Sequence, residues 1–363
     1  MIKRIYLDHA AATPLDKRVK KTMDEAEKCF GNPSSIHKEG EMAKKIVEES
    51  RKKVAAVLGC KSGEIIFTSG GTESDNLAIQ GIAGHIVTTA IEHPAVLEPC
   101  KRRGNVTYIK VDADGIVNPD DIKNTLQPDT GLVSVIYANN EIGTIQPIRE
   151  ISKIKGKAYF HTDACQVAGF LNLKVETLGV DMMTLNASKI YGPKGIGILF
   201  KKSGVKISPQ ILGGGQEGGL RSGTESPAFC AGMAEALFLA QENKEKELKR
   251  LIELRDYFIK KVLIEVPNAE LNGSLKNRLP NNANFHFKGC DAEELLIKLD
   301  VKGIACSSGS ACASQFSKTS HVILALGKGE KAARSSIRFS LGRETSKKDL
   351  DCVIKVLCEI LNH

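Results

Sequence analysis

Ile65-Ile66-Phe67-Thr68-Ser69-Gly70-Gly71-Thr72-Glu73-Ser74 is the stretch on which the fold reading turns. A short apolar run passes into a hydroxyl- and glycine-rich turn, and a helical pattern then covers about 74–83. The unit recurs. Apolar runs at Ile86-Val87-Thr88, Val106-Thr107-Tyr108-Ile109, Leu132-Val133-Ser134-Val135-Ile136, Ala158-Tyr159-Phe160 and Ile196-Gly197-Ile198-Leu199-Phe200 alternate with helical segments at 94–103, 119–126 and 147–155. Upstream, Ala43, Ile46, Val47, Val54 and Leu58 fall near 3.6 spacing and predict a helix over 40–58. Brief apolar runs alternating with helices indicate an α/β fold with a mostly parallel sheet covered on both faces.

The texture changes around residue 240. Residues 235–263 read as one long charged helix, with Leu248, Leu251, Ile252, Phe258, Ile259 and Val262 on one face. The run Glu242-Asn243-Lys244-Glu245-Lys246-Glu247 is its solvated face. Beyond it, strands near 284–287 and 336–341 and helices near 291–299, 318–326 and 346–361 predict a second, α+β unit. At the other end, Met1-Ile2-Lys3-Arg4 leads into a strand-like Ile5-Tyr6-Leu7 with no apolar signal region.

Composition narrows the function classes. With 363 residues, 42% hydrophobic and 26% charged, the chain matches an ordinary soluble globular protein. Its net charge of +8 is spread over pairs such as Lys44-Lys45, Lys52-Lys53 and Lys347-Lys348, so no nucleic-acid surface is expected. The excess suits an acidic substrate or cofactor. Ten cysteines are dispersed along the chain without a C-x-x-C pair. That spacing speaks against a zinc site or a disulfide framework and for a reducing cytoplasm. No apolar run reaches bilayer length, so no membrane partner is expected.

Four constellations carry chemistry. Thr68 to Ser74 places glycines, hydroxyls and a helix start where an anion could sit, although a plain strand-to-helix turn reads the same way. It has neither a Walker ending nor a dinucleotide glycine pattern. Ala158-Tyr159-Phe160-His161-Thr162-Asp163-Ala164-Cys165-Gln166 puts Asp163 just past a strand, at the edge where α/β folds bind ligands or where Asp caps a helix. Asn186-Ala187-Ser188-Lys189-Ile190-Tyr191-Gly192-Pro193-Lys194-Gly195 holds a lysine in a polar turn between two sheet-like runs. A lysine, an acidic strand-end residue and an anion cradle together match pyridoxal phosphate, which needs an amine, a carboxylate at its pyridine nitrogen and a phosphate site. The fourth is the small-residue loop Ser307-Ser308-Gly309-Ser310-Ala311-Cys312, followed by Ser336-Ile337-Arg338. Its thiol is either incidental to a surface loop or carried to a substrate, and an arginine beside such a site is a carboxylate clamp.

Together these motifs resemble a known family. The resemblance runs through Tyr6 to Pro14, Phe30-Gly31-Asn32-Pro33-Ser34-Ser35, Gly71 to Ser74, Glu92-His93, Asn139-Asn140-Glu141-Ile142-Gly143, Asp163 to Gln166, Lys189 to Gly195, Arg221 to Thr224, Ser307 to Cys312 and Ser336 to Arg343. It covers nearly the whole chain in order. It is similar to the class V aminotransferase-type enzymes of fold type I, and among them to cysteine desulfurases with a long cysteine loop. The resemblance implies a pyridoxal-phosphate-dependent transferase fold with a seven-stranded-type, mostly parallel sheet domain over 13–245. A smaller α+β domain formed by 1–12 and 246–363 would carry the cysteine loop. It implies conversion of L-cysteine to L-alanine with a persulfide on Cys312, passed to an acceptor in iron–sulfur cluster assembly or tRNA thiolation.

The implied roles follow position by position. Lys189 would form the Schiff base and shuttle the Cα proton, Asp163 would hold the pyridine nitrogen protonated, and His93 would stack on the ring as acid/base. Gln166 would reach the phenolic oxygen. Gly71 and Thr72 would bind the phosphate, as would Asn186 and Ser188, and Thr224 would reach the phosphate of a partner subunit in a homodimer. Arg338 and Asn140 would hold the substrate carboxylate, with Asn32 also at the substrate, and Cys312 would be the nucleophile. No resident metal is implied, with Cys312 a transient iron–sulfur ligand. Asn186 and Ser188 stand where the family usually has Ser and His; both still donate hydrogen bonds, but the imidazole's charge is lost. Cys306 is read as a core thiol, His161 and Cys165 as packing or ring-edge residues, and His9 as a lining of the entrance. The alternatives are a selenocysteine lyase or other related aminotransferase-like enzyme, for which a loop thiol is superfluous, and a cluster scaffold with a decayed cofactor site.

Overall fold

The computed structural model describes residues 4–309 and 319–362. Cys312 therefore lies outside the described residues. In chain order the elements begin with β1 (Ile5–Tyr6), α1 (Lys17–Glu27), α2 (Lys38–Leu58), β2 (Ile65–Thr68), α3 (Gly71–Gly81), β3 (His85–Thr89), α4 (Pro94–Arg103), β4 (Val106–Ile109) and α5 (Pro119–Thr125). They continue with β5 (Thr130–Ser134), α6 (Ile148–Ile154), β6 (Tyr159–Asp163), α7 (Val175–Leu178), β7 (Met182–Asn186), β8 (Gly197–Lys201), α8 (Pro227–Glu242) and α9 (Lys244–Glu265). The last are β9 (Ala269–Leu271), β10 (Asn282–Phe287), α10 (Ala292–Val301), β11 (Ile304–Ala305), α11 (His321–Ala325), α12 (Gly329–Arg334), β12 (Ser336–Ser340) and α13 (Lys347–Leu361).

The large sheet has seven strands in the order β2-β8-β7-β6-β5-β3-β4. Strands β4, β3, β5, β6 and β7 run parallel, and β8 is antiparallel to both of its neighbours. This is the mostly parallel, doubly covered α/β sheet expected from the alternating apolar runs. Its inner strands are buried except at some end residues, as a sheet covered on both faces requires. The smaller unit is a three-stranded antiparallel sheet, β12-β10-β9, beside a two-stranded parallel pair of β1 with β11. Ile5 and Leu7 from the beginning of the chain share its core with Phe258, Phe285, Phe339 and Leu357.

Four local readings are corrected. The single helix over 235–263 is two helices, broken at Asn243, whose side-chain amide donates to the Leu239 carbonyl and ends α8 (2.9 Å). An asparagine that competes for backbone partners stops a helix that charge periodicity alone would continue. Strand β7 was not anticipated, because Met182-Met183-Thr184-Leu185 carries little β-branched signal, yet it is buried along its length. Helix α1 was also missed, since only Val19 and Ala26 of its eleven residues are buried. The segment expected at 318–326 becomes a short helix that starts at His321 under a Ser320 cap, and residue 318 lies outside the described residues.

Phe258 on α9 sits edge-on to Phe285 on β10 and to Phe339 on β12, with centroids 5.7 and 5.4 Å apart. It is fully buried, so nothing nearby can fill the space its ring occupies. Phe258→Ala should lower the unfolding free energy by about 3–5 kcal/mol, read as a drop in the urea midpoint with the denaturant slope unchanged.

Candidate active site

The carboxyl ends of the parallel strands point at one cavity of about 330 Å³. Gly71, Thr72, His93, Asn140, Asp163, Gln166, Asn186, Lys189 and Arg338 all line it. Each reaches it for a local reason. Asp163 ends β6, and its Oδ1 accepts from the Cys165 amide at 2.9 Å, which turns the carboxylate back across the strand end. His93 caps α4, its Nδ1 accepting from the Ala95 amide at 3.1 Å. The ring proton is therefore assigned to Nε2. Asn139 shapes the turn after β5, accepting from Glu141 and Ile142 amides and donating to the Ile91 carbonyl, which brings Asn140 to the cavity wall.

Lys189 closes a 3₁₀ turn that follows β7 directly. The Asn186 side chain caps that turn through the Ser188 amide at 3.1 Å, and Lys189 Nζ donates to the Ala11 carbonyl at 2.5 Å. Gly71 opens α3, so the first-turn amides of that helix face the cavity. A Cβ there would lie 2.9 Å from Cys165 Sγ and 3.5 Å from Asn186 Nδ2, so glycine is what leaves the cradle open. Arg338, on β12, is only 2% exposed; it donates to the carbonyls of Asn140 (2.9 Å) and Gly309 (3.1 Å) and to Asp8 Oδ1 (2.8 Å).

Some expected residues stand elsewhere. Ser188 does not line this cavity: its hydroxyl donates to Asn186 Oδ1 at 3.1 Å and its carbonyl takes both donors of Thr13. Asn32 is exposed after α1 and caps its own turn through the Ser34 amide, and Thr224 is exposed before α8; neither lines the cavity. His161 is wholly buried in the sheet between Ser134 and Thr184, a packing position. His9 lines neighbouring clefts and not this cavity. Cys306 has its thiol pushed up by burial, as a core cysteine should. Three participants were not read from the sequence: Asp8 on Arg338, Asp75 in the cavity wall, and Glu141, which accepts from Ser320 at 2.6 Å. Asp75 falls four residues after Gly71, on the same helical face, and that spacing was the available signal.

Burial keeps several of these groups neutral. His93 is lowered by desolvation first; Asp163 opposes this, while the charges of Lys189, His321 and Arg338 add to it. Asp75 is raised well above the usual carboxylate range by burial and then by Asp163. Cys165 is likewise raised by burial and by the two carboxylates, which makes it a spectator thiol.

Comparison with known proteins agrees with this geometry. A family model described as aminotransferase class-V matches residues 5–353. The chain belongs to that family. Class-V relatives include a protein named cysteine desulfurase IscS from Dictyoglomus turgidum, 48% identical over 99% of this chain and 95% of its own. The solved NifS-like protein from Rickettsia africae superposes with a TM-score of 0.93 at 36% identity, covering 99% of this chain and all of that one. A structure described as SspA in complex with cysteine superposes with a TM-score of 0.81 at 33% identity, over 93% of this chain and 99% of its own. No helix among the described residues is long and apolar enough to cross a membrane.

Glu92, beside His93, supplies a test of this class-V site's electrostatics. It is wholly buried, and burial raises it from an ordinary 4.5 to about 8. Between those values the unfolded chain is ionised and the folded one is protonated, so its contribution to stability is full below 4.5 and lost as pH rises toward 8. Glu92→Gln removes that titration. The melting temperature of the variant relative to the parent should improve steadily from pH 5 to pH 8, and a difference constant with pH would refute the assignment.

Proposed function

We infer that this chain is a cysteine desulfurase, converting L-cysteine to L-alanine and leaving the sulfur as a persulfide on Cys312. The observation that carries the reading is the convergence of Lys189, Asp163, His93 and Arg338 on one cavity, in a chain whose 48%-identical relative is named a cysteine desulfurase. The cofactor we propose is pyridoxal 5′-phosphate. The donor set fits it: the α3 N-terminus at Gly71 and the Asn186 amide line one side of the cavity, and Asp163 contributes a carboxylate to its lining. Once bound, that group supplies an electron sink for carbanion chemistry at the substrate Cα.

The protein's own residues do the rest. Gly71, Thr72 and Asn186 hold the phosphate, Asp163 keeps the pyridine nitrogen protonated, and Gln166 stands by the ring oxygen. Lys189 provides the amine that carries the cofactor and moves the Cα proton. His93, neutral and with its hydrogen on Nε2, donates from the resting state; taking a proton would require Nδ1 to release the α4 cap. Arg338 clamps the substrate carboxylate; Asn140 orients that guanidinium through its carbonyl. The Cys312 thiolate then attacks the substrate sulfur. A sulfur–sulfur bond forms, the substrate Cβ–S bond breaks, and its electron pair stays on Cβ, where protonation completes alanine. The persulfide sulfur leaves with an acceptor protein.

The chain is proposed to act as a homodimer. Thr224 is exposed and outside its own chain's cavity, where it can serve the phosphate of a second copy. Ser188, turned onto Asn186, and Asn32, capping its own loop, are assigned no part within one chain.

Cys312→Ser should abolish persulfide formation, read by mass spectrometry of the cysteine-treated protein, while a cysteine-induced change in cofactor absorbance persists. Lys189→Ala should lose alanine production by at least about 10³-fold, as expected when the group that moves the proton is removed. Sulfide release retained in full by Cys312→Ser would refute the reading.

A further inference from the structure

Tyr191 lies two residues beyond Lys189 and has φ +62, a left-handed conformation that strains a bulky side chain. The surrounding structure holds it there from three sides. Its amide donates to Thr13 Oγ1 at 2.7 Å, and its carbonyl accepts from the Asp16 amide at 3.0 Å. Its hydroxyl accepts from the Arg343 amide at 2.8 Å. The Arg343 guanidinium covers the ring 4.0 Å from its centroid and is itself held by Asp16 at 2.8 Å. On the inner side, the Ile190 and Gly192 amides both donate to the Ala187 carbonyl, which closes the turn around Lys189.

Two chain segments meet at this residue. Residues 8–16 run past the lysine turn: Asp8 holds Arg338, Ala10 donates to Ser340 Oγ, Ala11 accepts from Lys189, and Thr13 and Asp16 grip Tyr191. Residues 338–343 leave β12 in the small unit and end on the Tyr191 hydroxyl. The phenol is thus a direct bond between the backbone that follows the carboxylate clamp and the turn that carries the lysine.

We propose that Tyr191 is a positioning residue for the desulfurase reaction: its locked left-handed backbone and its bond to Arg343 set the direction of Lys189 relative to Asp163 and Arg338. This rests on the desulfurase reading above. Strain persists only where neighbours over-determine it, and here those neighbours lie on the chain segments that also carry Ala11, which accepts from Lys189, and Arg338. The ring's own contacts, with Arg343 and with His9 at 6.0 Å, are outside the cavity, so Tyr191 acts through Lys189 and not on the substrate.

The test uses the pyridoxal-phosphate-loaded protein. Tyr191→Phe removes only the hydroxyl. It should lower kcat for alanine formation about tenfold while KM for cysteine stays within about twofold, the pattern of a misdirected reacting group. The apparent pKa of the cofactor's visible absorbance, which reports the Lys189 nitrogen, should move by about half a unit or more. Tyr191→Asn tolerates the left-handed backbone but cannot reach Arg343, and it should show the same losses without loss of folding. Variants that match the parent in both kcat and absorbance pKa overturn the proposal. A parent that binds the cofactor but forms no alanine overturns the desulfurase reading instead.

Discussion

A buried guanidinium, that of Arg338, is the constraint on which the rest of the site depends. A cation removed from water is costly unless a counter-charge and hydrogen-bond acceptors compensate it. Arg338 meets that demand with the Asp8 carboxylate, the Asn140 carbonyl and the Gly309 carbonyl, one from each of three distant parts of the chain. The beginning of the chain, the turn after β5 and the segment that leads toward Cys312 are therefore drawn to one point on β12. Among the described residues its buried Nε has no hydrogen-bond partner.

Around that cation the cavity is made electrically quiet. Asp75, Glu92 and Cys165 are pushed up by burial, and His93 is pushed down. In each case desolvation is the leading cause, so the neutral form is favoured whatever the sign of the group. Asp163, Lys189 and Arg338, the three groups assigned to the pyridine nitrogen, the amine and the carboxylate, face that same cavity. A low-dielectric wall makes each of these act at short range and with direction.

Much of this was legible in the residues. The alternation of Ile65-Ile66-Phe67, Val106 to Ile109 and their fellows with helical segments led to the parallel sheet. Lys189, Asp163, His93, Gly71 and Arg338, picked out by type and motif, stand on the observed cavity. What was not legible depended on partners far away in sequence. Asp8 meets Arg338 across 330 positions, and Glu141 meets Ser320 across 179. Nothing in an isolated Asp or Glu announces such a partner. Ser188 failed for a nearer reason: Asn186, two residues earlier, captures its hydroxyl and turns it from the cavity.

By itself, then, the sequence determined the α/β class, most of the strand–helix alternation in the sheet domain, though not β7 or α1, and the candidates for the reactive side chains. These follow from local periodicity, turn chemistry and residue type, which act over a few positions. The tertiary structure alone decided which polar groups are buried, and hence which are neutral. It also decided that Asp8 holds the clamp and that Tyr191 is forced to a positive φ two residues from the lysine. Those outcomes depend on desolvation and on hydrogen bonds between segments hundreds of residues apart, quantities that exist only once the chain has closed on itself.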